Sequence, residues 1–186
     1  MPATEGLPAP GALVMLRRLT MDDADALVAY RSDPEVARYQ SWTPDWSVED
    51  ARRLVEGQPD TDWPDLGDWL QLAIVERASG ALVGDLGIHS VATQPRTIEL
   101  GITLAGDRQG RGFASEAVRL VLAWLFEERN QHRVLTQSDE RNPALHRLVE
   151  HLGFRREATL VEADWFEGAW TTLVVHAILE REWSGG

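Results

Sequence analysis

The chain has 186 residues, 44% hydrophobic and 26% charged, which suits one soluble globular domain and excludes a largely disordered chain. It contains no cysteine, and all 18 of its Lys+Arg positions are arginine. Disulfides, thiolate metal sites, a cysteine nucleophile, a lysine Schiff base and a P-loop lysine are therefore excluded. The 30 acidic residues bring the net charge to −12, which repels nucleic acid and favours a cationic partner. Residues 1–11 lack a basic region before an apolar stretch, and no apolar run approaches the ~20 residues of a membrane span, so a cytoplasmic protein without membrane contact is expected.

In chain order, 1–11 is rich in proline and glycine and reads as a flexible tail before a single domain over 12–183. Residues 12–17 predict a strand, and Thr20 caps a helix over 21–31 with Asp22 and Asp23 in its first turn. A short helix follows Pro34, and Ser47 caps another through Ala51, Leu54 and Val55. The proline- and aspartate-rich stretch 58–68 reads as a loop. Residues 69–76 and 81–90 form a hairpin, 97–104 is a third strand, and 113–129 is a long helix with Val118, Leu122, Leu125 and Phe126 on one face. A strand over 133–137, a helix over 142–152 stopped by Gly153, and strands over 155–162 and 170–179 around an acidic, aromatic loop complete the chain. This order predicts an α/β (α+β) fold: a mixed, mostly antiparallel sheet of about six to seven strands with helices on both faces.

Gln109-Gly110-Arg111-Gly112-Phe113-Ala114 lies between a predicted strand and a predicted helix, where backbone N–H groups converge and the helix dipole favours an anion. Small residues let a ligand approach the backbone, and Arg108 and Arg111 supply charge for phosphate. A plain tight turn before a helix fits the same glycines. Missing lysine argues against a P-loop, and Ser115 stands where a dinucleotide fingerprint needs its third glycine.

Several separated segments resemble the Gcn5-related N-acetyltransferase (GNAT) superfamily, and within it the ribosomal-protein N-terminal acetyltransferases. Gln109, Gly112 and Ala114 match its Gln/Arg-x-x-Gly-x-Gly/Ala loop, and Ile98-Glu99-Leu100-Gly101-Ile102-Thr103-Leu104 resembles the strand before it. Asn142-Pro143-Ala144 with Leu152-Gly153-Phe154 resembles the downstream segment, and the two chain ends also fit. The resemblance implies acetyl-coenzyme A as co-substrate, with pyrophosphate on 109–114, pantetheine along Ile102, Thr103 and Leu104, and Asn142 nearby.

Acyl transfer requires a neutral amine, whereas a lysine-like amine has a pKa of about 10.4 and an α-amine about 7.7–8.0. Glu99 corresponds to a strand position used as a base in parts of the family, often through water; a solvated strand glutamate is the alternative. For the acid, the family's tyrosine and serine positions hold Val149 and Leu145. Ser138 is the remaining candidate, and His146 reads as a surface histidine. His146, Glu150 and His151 lack a zinc spacing, so no metal is expected.

Eight tryptophans accompany many carboxylates. The resemblance places Tyr39, Trp42, Trp46, Trp165 and Glu167 around the acceptor cleft, where aromatic faces and acids suit a cationic amine; core and rim packing is the alternative. The expected acceptor is a protein N-terminal α-amine or a small cationic amine such as an aminoglycoside or polyamine, handled by a monomer or homodimer. A catalytically weak acyl-coenzyme A sensor of the same fold is the alternative.

Overall fold

The computed structural model describes residues 6–184. Strands β1 (Val14–Arg18), β2 (Trp69–Glu76), β3 (Leu82–Ser90), β4 (Thr97–Leu104), β5 (Arg133–Asp139), β6 (Arg155–Phe166) and β7 (Ala169–Leu179) form one sheet in the order β1-β2-β3-β4-β5-β7-β6. Every neighbouring pair is antiparallel except β4 and β5. These two pair only over Thr97–Glu99 with Arg133–Leu135, and the rest of each strand runs on unpaired to the other. The sheet thus opens into a notch whose apex is at Glu99.

Side-chain alternation along β2 directs the two layers that cover the sheet. Leu70, Leu72 and Ile74 face a core with Val118, Val121, Leu122 and Leu125 from the long-helix segment and Val149 from α5 (Pro143–His151). Ala73 and Val75 face the other way, against Leu27, Tyr30, Val36 and Ala51 of α1 (Ala24–Arg31), α2 (Pro34–Ala37) and α3 (Val48–Glu56). The mixed sheet with helices on both faces is the architecture the residue pattern predicts.

The structure revises several boundaries. The helix expected over 113–129 is α-helical only as α4 (Phe113–Ala123) and widens into a π turn, Trp124–Glu128, closed by Arg129 N–H donating to the Trp124 carbonyl at 2.9 Å. Trp124, Leu125 and Phe126 are all buried, and α geometry would spread three successive residues over about 200°. The helix expected from residue 21 begins as a 3₁₀ turn, Met21–Asp23, because the Asp23 carboxylate turns back onto Thr20 N–H at 2.8 Å and pairs with Arg17 at 2.7 Å. The loop expected around 163–169 is largely strand. β6 and β7 meet in a two-residue turn, Glu167-Gly168, with φ of 50° and 81°, the positive values that a tight hairpin turn requires.

Of the expected tail, residues 1–5 lie outside the described region, and the remainder is packed. Leu7, 7% exposed, joins the α4-side core, and the Arg129 guanidinium donates to the Gly6 carbonyl. Further along, the Glu116 carboxylate of α4 accepts from the N–H groups of Ala12, Leu13 and Val14 at 3.0, 2.7 and 2.7 Å, fastening the start of β1 to α4. Among the described residues no helix is long and apolar enough to cross a membrane.

Candidate active site

A cleft of about 690 Å³ lies beside the part of β4 that is unpaired to β5, between the starts of α4 and α5. Ile102, Thr103 and Leu104 form its sheet wall; Gln109, Gly110, Gly112, Phe113 and Ala114 form its floor at the start of α4; and Asn142 lies at the start of α5. These nine positions, scattered over 41 residues of chain, were all singled out from sequence. The shape follows from local chemistry. Gly110 and Gly112 have φ of 74° and 84°, a region that side-chain-bearing residues rarely adopt. No side chain caps α4, so its first N–H groups stay available to a ligand. The N–H groups and helix dipole together suit a pyrophosphate, which is the fit expected for the coenzyme. Asn142 is itself a cap: its side-chain oxygen accepts from Leu145 N–H at 3.1 Å, and Pro143 at the first helical position fixes where α5 begins.

The cleft's positive charge differs from expectation. Arg108 and Arg111 are not among its lining residues. Arg108 instead pairs with Glu76 and Asp107, each at 3.2 Å. The guanidinium that does line the cleft is that of exposed Arg147 on α5. Helical spacing carried the missing signal: Arg147 is four residues after Pro143 and so shares its face. Glu35, Val36 and Gln40 join expected Tyr39 on the opposite wall.

The other proposed acceptor residues lie elsewhere. Trp42 and Trp46 do not present open aromatic faces, because the Arg31 guanidinium sits 4.1 and 4.5 Å from their ring centres. Buried Arg31 in turn pairs with buried Asp85 at 2.6 Å, and Asp85 also accepts from the Tyr30 hydroxyl and Gln71 amide. Burial, and then the Asp85 charge, push the Tyr30 phenol well above its ordinary value. Trp165, 57% exposed, and Glu167 stand at the tip of the β6–β7 hairpin, where Trp165 meets only Trp170 edge-on at 5.1 Å among the aromatic residues described. Neither lines the cleft.

Glu99 sits at the apex of the notch and is engaged on both oxygens. One faces His89 Nδ1 at 3.1 Å, and the other accepts from the Gln137 amide at 3.4 Å. His89 is stacked on Trp69 with ring centres 4.8 Å apart and planes 9° apart. The pairing of His89 with Glu99 has no local signal in the sequence, since the cross-strand register His89↔Glu99 is a property of the folded sheet. Ser138 lies under α5, where its hydroxyl is 3.2 Å from His146 Nε2. His146 is accordingly half-buried and not the surface residue expected; burial, then His176 and Arg156, lower its pKa from the ordinary value. Val149 is fully buried and Leu145 lines the cleft, so neither family acid position carries a proton. No cluster of three or more His, Cys, Asp or Glu side chains suited to a metal occurs among the described residues.

Residues 14–155 match the family model for an acetyltransferase (GNAT) domain. The chain belongs to the GNAT acetyltransferases. This GNAT protein is 28% identical over 170 residues to the uncharacterized N-acetyltransferase p20 of Bacillus licheniformis, covering 91% of this chain and 94% of that one. It is also 28% identical over 110 residues, 59% of this chain and 64% of the relative, to the spermidine N(1)-acetyltransferase of Vibrio cholerae. Among solved structures it resembles Mycobacterium smegmatis RimJ in complex with CoA-disulfide, with a TM-score of 0.80, 25% identity, and coverage of 96% of this chain and 87% of that one. It is an N-acetyltransferase.

Proposed function

We propose that this GNAT enzyme binds acetyl-coenzyme A in the β4–β5 notch and passes the acetyl group directly to a cationic primary amine, either a small polyamine- or aminoglycoside-like molecule or a protein α-amine. The observation that carries this reading is the notch itself. An unpaired stretch of β4 ends at an uncapped helix start held by two positive-φ glycines, with a cleft large enough for a pantetheine arm. The phosphates would meet the N–H groups of 112–114 and Arg147, and free backbone groups of Ile102, Thr103 and Leu104 would hold the arm in the extended form. Acetyl-coenzyme A supplies an activated thioester there. The chain orients that thioester, shields it between α4 and α5, and keeps carboxylates near the incoming amine.

Composition favours direct transfer in a ternary complex. With no cysteine and no lysine in the chain, no thiol or side-chain amine is available to hold an acetyl group. Cationic acceptors are favoured by the −12 net charge, by Glu35 on the cleft wall, and by a second groove of about 670 Å³ beside Trp69 that Asp60, Asp65 and Asp68 line. The leaving thiol has an ordinary pKa of about 8.5, so it departs without a dedicated acid, in keeping with Val149 and Leu145 at the acid positions.

Those two apolar residues also favour a second reading, a catalytically weak sensor of acyl-coenzyme A. A thiol-release screen over polyamines, aminoglycosides and peptide N-termini separates the two. Turnover with at least one amine class supports the enzyme reading; tight coenzyme binding without turnover on any class supports the sensor.

A further inference from the structure

The acceptor face of the sheet carries a second titratable group that the coenzyme cleft does not use. His89 and Glu99 are direct cross-strand partners on β3 and β4, and Trp69 is the partner of His89 on β2, so the three side chains form one row across adjacent strands. Period-two alternation puts this row on the same face as Gly101 and Thr103, the latter a cleft residue. The row ends at the apex of the notch, where a thioester threaded between β4 and β5 would finish.

We propose that His89 takes the proton from the acceptor amine and that Glu99 is a positioning residue acting through it. This rests on the acetyl-transfer reading above and names the group that touches the amine. Three observations support the division of roles. Both Glu99 oxygens already have partners, His89 Nδ1 at 3.1 Å and the Gln137 amide at 3.4 Å, which suits the carboxylate to orienting a ring more than to abstracting a proton. A ring whose Nδ1–H donates to a carboxylate keeps its Nε2 lone pair free, and Nε2 has no hydrogen-bond partner among the described residues and is not sealed from solvent. The indole of Trp69 then fixes the ring's tilt. It stacks on His89 with planes 9° apart and lies over Gly87, where an added Cβ would come within 2.9 Å of the indole.

In the step, the amine nitrogen attacks the thioester carbonyl carbon, the N–C bond forms and the C–S bond breaks. Nε2 of His89 accepts the proton lost from nitrogen, and the Glu99 carboxylate offsets the resulting imidazolium charge. The sulfur leaves with the C–S electron pair and takes a proton from water, while the imidazolium returns its own to water. As a class, an imidazole is a stronger base than a carboxylate and therefore the better acceptor for a proton leaving an amine.

The test measures kcat/KM against pH for wild type, His89→Gln, His89→Ala and Glu99→Gln, with acetyl-coenzyme A affinity by calorimetry and melting temperature as controls. Below the pKa of the acceptor amine every variant loses rate because only the neutral amine reacts; wild type should show a steeper acid limb than that, because the His89 imidazole must be unprotonated as well. His89→Gln should keep only the amine's own limb, of unit slope, and lose at least about a hundredfold in kcat/KM, with coenzyme affinity within about twofold. Added imidazole should restore part of the His89→Ala rate, which a merely structural role would not allow. Glu99→Gln should lose less and keep the steeper limb. Wild-type transfer combined with a limb equally steep in wild type and His89→Gln, absence of imidazole rescue, or a larger loss in Glu99→Gln than in His89→Gln overturns the proposal alone. Absence of any transfer by wild type overturns the acetyl-transfer reading and this proposal together.

Discussion

Gly84 on β3 faces β4 beside the cleft residues Thr103 and Leu104, and an alanine there tests how closely the two strands approach. A Cβ at Gly84 would lie 2.1 Å from the Thr103 carbonyl oxygen, 2.7 Å from Leu104 Cδ2 and 2.9 Å from Leu104 Cα. Two of these atoms belong to backbone, so no rotamer change relieves the overlap. Contacts below 3.0 Å essentially never occur for Cβ atoms, so the strands must separate by about 0.9 Å. Overpacking on this scale costs about 1–3 kcal/mol, which for a chain of this size lowers Tm by about 2–12 °C. Thr103 and Leu104 line the cleft, so on the proposed binding mode the same shift would misplace a backbone hydrogen bond to the coenzyme and weaken binding by about two- to tenfold. Thermal melts and calorimetric titration with acetyl-coenzyme A read both effects. A Gly84→Ala protein with Tm within about 1 °C and affinity within about twofold of wild type refutes the close β3–β4 approach and its role in shaping the cleft.

Other perturbations probe separate parts of the account. Gly112→Val forces a β-branched residue to φ 84°, at about 1–2 kcal/mol or more, and should reduce acetyl-coenzyme A affinity by well over tenfold while circular dichroism still shows a folded chain. Glu116→Ala removes the acceptor for three N–H groups at the start of β1 and should cost roughly 2 kcal/mol in a denaturant melt, with water supplying part of the lost bonding. Burial first, and then His176 and Arg156, hold His146 below the ordinary pKa of about 6.5. The unfolded chain therefore takes up this proton first, so the contribution is complete above about pH 6.5 and is lost as the pH falls toward the folded value. Wild type should accordingly lose more Tm than His146→Gln between about pH 7.5 and 5.5, and equal losses would show that His146 titrates normally.

The fold class was legible in the sequence because its signals are local: alternation along 69–76 and 81–90, Ser47 as a helix cap, and glycines that only particular backbone angles accept. The lining of the cleft was legible for the same reason, since Gly110, Gly112 and Asn142 act through their own backbone or the next turn. What escaped depends on which strand lies beside which. His89 is ten residues from Glu99 in sequence, yet the antiparallel register makes them neighbours. Trp42 and Trp46 read equally well as an open aromatic site, and only the folded position of Arg31 shows that a guanidinium already covers them. Arg108 was a plausible phosphate ligand until β2 placed Glu76 within 3.2 Å of it. The packed segment after Gly6 depends on one leucine among prolines, too little pattern to distinguish a tail from an anchored strap.

Mass spectrometry of the protein and of its products tests direct acetyl transfer from coenzyme to amine most plainly. The purified chain is incubated with acetyl-coenzyme A alone and then with a panel of cationic primary amines. The expected result is an unmodified protein with acetyl-coenzyme A alone, followed by an amine carrying one acetyl group for each thiol released. An acetylated protein that discharges onto added amine, or no acetylated amine across the panel despite coenzyme binding, contradicts direct transfer.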